Sequence, residues 1–103
     1  MSEKALGDFF SKVMKTGRYH IGLREVLKNL KDARLVVVSS SLSEEELASI
    51  EEGLKGRSVP LIRYEGDSVK LGRVCGLPFR VKAVSVRHPG EASIRKLLKS
   101  MKG

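Results

Sequence analysis

The sequence predicts an α/β protein, a small three-layer α/β/α domain. Three observations predict it. Segments with apolar residues at i, i+3, i+4 and i+7 alternate along the chain with short β-branched runs. One of those runs, Leu35-Val36-Val37-Val38, is aliphatic without a break, which suits a strand covered on both faces. The chain has 103 residues, 41% of them apolar, so it can bury roughly 65% of its unfolded surface and form a packed core.

The elements follow in order. Leu6, Phe9, Phe10 and Val13 fall at helical spacing, predicting a first helix over about 3–15 that stops at Thr16-Gly17. Leu23, Val26, Leu27 and Leu30 repeat the pattern for a second helix over about 22–32. Arg34 to Ser40 is a buried strand. Ser43 caps a third helix, with Glu46 three residues on completing a capping box, and the helix runs to about 55 with Leu47, Ile50 and Leu54 inward. Val59 to Tyr64 is a second strand whose Pro60 must stand at its start or on an edge. Asp67-Ser68 opens a short helix with Leu71, Val74 and Cys75 inward. A third strand spans about Val81 to Arg87. Pro89-Gly90-Glu91 then opens a last helix with Ile94, Leu97, Leu98 and Met101 on one face. Such alternation predicts a mostly parallel sheet with helices on both faces. No repeat, low-complexity tract or linker interrupts it, so residues 1–103 are expected to form one domain.

Composition narrows the function. No aliphatic run approaches the length of a membrane span, and Met1-Ser2-Glu3-Lys4 lacks the start of a secretory signal. A single cysteine allows no intrachain disulfide, which fits a reducing cytoplasm. One Asn, no Gln and 31% charged residues suit a heat-adapted source. The net charge is +8, unevenly spread. Residues 1–42 carry eight bases and four acids, residues 43–67 three and seven, and residues 68–103 nine and one. If the two ends meet they make one basic face, the electrostatic footprint of nucleic-acid binding.

Catalysis has little to work with. Cys75 sits at a core-facing position and reads as structural. His20 and His88 are far apart, and no cluster has metal-ligand spacing. Gly72 and Gly76 flank no phosphate-binding turn, because no strand precedes them. No enzyme, cofactor, metal or small-molecule substrate is expected.

Two stretches are better candidates for function. From Thr16 to Lys28, two glycines lead into an amphipathic helix. Gly22 lets another backbone approach, and Arg24 and Lys28, four apart, share a face that can meet phosphates. Glu25 can accept hydrogen bonds from base amino groups, or it is an ordinary acid favoured by the helix dipole. The second stretch is "VCGLPFRV", residues 74–81, where Gly76 and Pro78 oppose regular structure. Phe79 there either plugs the core or joins Leu77 and Val81 in an apolar surface beside Arg80.

Thr16-Gly17, Gly22 with its Leu-rich helix, "RLVVVSS", "LGRVCGLPFRV" and "RHPGEASI" together resemble the L-thirty-e family of ribosomal proteins, a branch of the L-seven-Ae superfamily of kink-turn RNA binders in archaea and eukaryotes. The likeness covers about residues 16 to 95. It implies a three-layer sandwich with a four-stranded mixed sheet, adding a short strand near Arg18 to Ile21. It also implies a three-part RNA surface. Gly22, Arg24, Glu25 and Lys28 form the first part, and Ser41, where an Asn is usual, the second. The third is the loop Leu77 to Val81, packing on the widened kink while Arg80 meets a phosphate. Glu25 departs from the L-thirty-e pattern, which has a basic or small residue there. The implied function is a structural protein of the large ribosomal subunit in the cytoplasm, monomeric when free, bound to a kinked internal loop of ribosomal RNA and able to touch neighbouring ribosomal proteins. The rival readings are a subunit of an RNA-modification guide particle or of ribonuclease P, and a protein-interaction module using the acidic helix 43–55.

Overall fold

The computed structural model describes residues 3–101. Its elements are α1 (Glu3–Thr16), β1 (Arg18–Ile21), α2 (Leu23–Lys28), a 3-10 turn (Leu30–Asp32), β2 (Leu35–Val38), α3 (Glu44–Leu54), β3 (Leu61–Arg63), α4 (Ser68–Val74), β4 (Ala83–His88) and α5 (Ile94–Met101). The strands form one sheet in the order β1-β4-β2-β3.

Alternation along the strands builds two cores, because successive side chains point to opposite faces. Leu35 and Val37 of β2 join Val84 and Val86 of β4 under α1, α4 and α5, with Leu6, Phe10, Val13 and Leu71 fully buried there. Val36 and Val38 join Ala83 on the other face, beneath Val26 of α2 and Ile50 and Leu54 of α3. This is the expected three-layer α/β/α sandwich with a four-stranded mixed sheet. Truncating one of the fully buried leucines to Ala removes about 2–5 kcal/mol in sites of this kind.

The mostly parallel sheet is a wrong expectation. Only β2 and β3 are parallel, and β4 runs antiparallel to both neighbours. The cause is the loop after α4, whose Val81 N–H bonds back to the Ser68 carbonyl at the start of that helix. The seven residues of α4 cover only about 10 Å at 1.5 Å each, and the loop after them returns to the end it left. β4 therefore starts at Ala83 opposite Val38, where β2 and β3 finish.

Three other expectations need correction. The second helix does not run unbroken to residue 32. Asn29 Nδ2 donates to the Glu25 carbonyl (2.8 Å), competing with the backbone for an i−4 acceptor, and the chain tightens into the 3-10 turn. Leu27, expected inward, is exposed. The last helix does not open at Pro89. The N–H of Gly90 donates to His88 Nδ1, that of Glu91 to Thr16 Oγ1 and that of Ala92 to the Pro89 carbonyl, so this stretch is a turn. Ser93 starts the helix instead, its Oγ accepting from the Lys96 N–H (3.2 Å). Thr16 and Glu91, prominent in the family resemblance, thus fasten α1 to the β4–α5 turn. The Met101 side chain lies outside the described residues.

Candidate nucleic-acid interface

The C-terminal ends of β1, β2 and β3 and the start of β4 lie at one end of the sheet, and the chain segments leaving them are the ones singled out above. Four hydrogen bonds join them into a rim. The Gly22 N–H donates to the Ala83 carbonyl (2.9 Å) and the Ser39 N–H to the Lys82 carbonyl (2.8 Å). The Ser68 N–H donates to Ser41 Oγ (2.9 Å) and the Val81 N–H to the Ser68 carbonyl (2.9 Å). Residues 22–28, 39–41 and 77–82 are thereby held together although Gly22 and Ala83 are 61 positions apart.

Gly22 stands at the N-cap of α2 with φ +97°, a conformation that L side chains rarely adopt. This turns the chain sharply from β1 into α2 and sets Arg24 and Lys28 on one exposed face. Glu25 is exposed beside them. Among the described residues the ion pairs are Arg63–Glu51 and Lys82–Glu46, so Glu25 is in neither. At six residues α2 is too short for its dipole to matter much; the side chains carry the site.

Ser41 is exposed, and its Oγ holds the first turn of α4 through Ser68. That is an architectural role, in which the hydroxyl serves as an acceptor.

The loop after α4 separates its apolar residues. Phe79 is 53% exposed and Leu77 half-buried against the core. Val81 does not belong to the surface: it is fully buried, a correction to the expected three-residue patch. In a strand, 77, 79 and 81 would share a face. Here the chain is irregular, and the Val81 N–H bond to Ser68 turns that side chain into the core.

In place of Val81 the surface offers two apolar residues that the sequence reading missed. Val69 of α4 is 38% exposed and lines a shallow depression with Leu77, Pro78 and Phe79, flanked by Arg73 and Arg80. Leu27, between Arg24 and Lys28, is the other. Val69 could have been found, because it lies off the Leu71–Val74–Cys75 face of its helix. Lys82 was also missed. Its Nζ sits 3.4 Å from Glu46, an exposed pair of the kind that adds little stability and yields readily to a stronger anion.

The two groups shifted furthest belong to the core. Burial pushes the Cys75 thiol up to about 12, and burial plus the hydrogen bond to Glu3 raises Tyr64 to about 12. No group of three or more His, Cys, Asp or Glu among the described residues could hold a metal ion.

An α/β/α sandwich with an exposed aromatic between guanidinium groups has the build of a nucleic-acid-binding module. The chain belongs to the Ribosomal protein L7Ae/L30e/S12e/Gadd45 family, whose model matches residues 4–96. Among curated relatives, it is 35% identical to the large ribosomal subunit protein eL30 of Methanothermobacter thermautotrophicus, covering 81% of this chain and 87% of that one. It is 32% identical to the eL30 of Sulfolobus acidocaldarius over 99% of both chains. With the eL30 of Archaeoglobus fulgidus the identity is 38% over 72% of this chain and 84% of that one.

Proposed function

We propose that this chain is a structural, non-enzymatic protein of the large ribosomal subunit that binds ribosomal RNA at a kinked internal loop, acting as one domain over residues 1–103. The relatives' name supports the ribosomal setting. The observation that carries the RNA reading is Phe79, an aromatic more than half exposed on a loop tied to the start of α2 and flanked by Arg73 and Arg80. An aromatic so exposed gains nothing from the core, but it can stack on a base that a kink has splayed out. Arg24, Lys28 and Arg80 meet phosphates on either side, which positions the RNA, while Gly22 lets the backbone come close. Glu25 accepts from a base amino group, and Ser41 donates its hydroxyl hydrogen.

The test is a titration of a kinked internal-loop RNA against a plain duplex of equal length at fixed salt. Tighter binding of the kinked RNA is expected. For Lys28→Ala, affinity should fall for both RNAs and the plot of log affinity against log salt should flatten by about 0.9, one phosphate's worth. Equal affinities for kinked and plain RNA would remove the kink from the proposal. Co-sedimentation with large subunits tests the ribosomal setting separately from other ribonucleoproteins.

A further inference from the structure

The cations of this chain do not gather on one face. A second group stands at the end of the sheet opposite the Phe79 loop. Arg18 begins β1, Arg34 precedes β2, and Arg87 lies near the end of β4, the strand between those two. These three residues line one open groove with Asp32 and His88. From Ala83 to His88, the length of β4 separates this groove from the Phe79 rim by about 17 Å.

We propose that Arg18, Arg34 and Arg87 form a second phosphate-binding surface that takes the sugar-phosphate backbone of another RNA segment. It goes beyond the function proposed above and does not depend on it.

The local geometry favours this use. β4 carries one extra residue here: Arg18 pairs with His88 and Tyr19 with Val86, leaving Arg87 unpaired at a bulge. A bulge re-aims a side chain and ends regular pairing. The Arg34 N–H donates to the Val86 carbonyl (2.8 Å), fixing that chain beside the bulge. Three neighbouring strands span about 10 Å, against one backbone charge per about 3.4 Å along a duplex strand, so three guanidinium groups match several consecutive phosphates. Their planar forks suit phosphate oxygens. His88 Nδ1 accepts from the Gly90 N–H (3.2 Å), which fixes the ring beside the groove.

The lining argues for RNA over an acidic protein. The groove lining includes no apolar residue, whereas a protein interface needs an apolar centre. Neither ion pair among the described residues involves these arginines, and Asp32 is the one acid in the lining.

The experiment titrates a plain, unkinked RNA duplex across salt concentrations with wild type, R34Q/R87Q and R34K/R87K, in both the native and the R24Q/K28Q background. All the substituted positions are exposed, and thermal melts check folding. R34Q/R87Q should weaken duplex binding on the order of tenfold and flatten the log–log salt slope by about 1.8 in either background. R34K/R87K should keep most of the slope. Wild-type affinity and slope in R34Q/R87Q would overturn the proposal, as would a polyglutamate peptide binding these arginines more tightly than the duplex does. If the kinked RNA shows no preference yet the duplex still needs Arg34 and Arg87, the kink drops out of the function proposed above and this surface stands.

Discussion

The carbonyl of Phe79 occupies the space where a side chain on residue 72 would begin. A Cβ on Gly72 would overlap that oxygen and press on the Phe79 carbonyl carbon at 3.2 Å. The Gly72 carbonyl also accepts from the Leu77 N–H (2.9 Å). The loop crosses α4 in direct backbone contact, and this holds Phe79 out from the core. Gly72→Ala should therefore destabilise the protein by about 1–3 kcal/mol, the range for overpacking, and weaken binding of kinked RNA beyond what unfolding explains. Denaturant midpoints and a titration on the folded variant check both. A wild-type midpoint would mean that the loop shifts freely over α4.

Glu25→Gln separates base reading from charge. Glu25 is exposed near Arg24 and Lys28 and forms no ion pair among the described residues. Removing its charge from a basic face favours phosphates but weakens an acceptor for base amino groups. The variant should bind plain duplex as well as wild type or better, while its preference for kinked RNA shrinks. Equal losses on both RNAs would exclude base reading.

Glu46 links stability to pH. Its carboxylate accepts the Ser43 N–H (2.9 Å) at the α3 N-cap while Ser43 Oγ accepts from the Glu46 N–H (3.1 Å). The bond from the Ser43 N–H does most to lower the carboxyl; desolvation opposes it and Lys82 supports it, and the carboxyl stays below its ordinary value of 4.5. A group depressed on folding contributes stability above its unfolded value and loses it as pH falls through the folded one. Glu46→Gln should thus differ most from wild type near neutrality and converge with it below that carboxylate range. Denaturant midpoints across pH measure this, and a constant gap would show that the charge is not involved.

Cys75 should behave as an inert core group. It is 3% exposed at the end of α4, and a thiol pushed up to about 12 by burial supplies almost no thiolate near neutrality. A thiol-alkylating reagent should label the native protein only as fast as it unfolds, and label it rapidly in denaturant. Fast labelling under native conditions would require a local opening of α4.

What was legible in the sequence was local. Ser43 and Glu46 are three apart, so the capping box could be read directly, and both its bonds form. The β2 run declares itself by its aliphatic residues. β1 does not: Arg18-Tyr-His-Ile has no such run, and it is a strand because β4 offers it a partner far along the chain. The direction of β4 depends on the loop after α4 turning back to Ser68, which no residue type announces. The interface divides in the same way. Gly22, Arg24 and Lys28 could be read from one turn of helix, but their joining to the 77–82 loop rests on a hydrogen bond from Gly22 to Ala83. Val81 was misplaced because alternate spacing implies a shared face only where the backbone is extended.

Phe79→Ala tests the site most directly. Had Phe79 filled the core, truncation would remove about 3–5 kcal/mol of stability. At 53% exposure on an irregular loop, it should change stability by no more than about 0.5 kcal/mol. The neighbouring core is built from Leu71, Cys75 and Val81, and Phe79 is not part of that cluster. Its affinity for kinked RNA should nevertheless fall by about 1–3 kcal/mol, the range for a base stacked on an aromatic. Plain duplex offers no unstacked base, so binding there should hardly change. Val69→Ala, in the same depression, should give a smaller loss of the same sign. The measurement pairs a thermal melt of the free protein with titrations of both RNAs at one salt concentration. A large drop in melting temperature with kinked-RNA affinity intact would assign Phe79 to the fold. Unchanged melting with equal, small losses on both RNAs would leave the loop as a non-specific contact, and the kink would have to be read by Glu25 and the start of α2 alone.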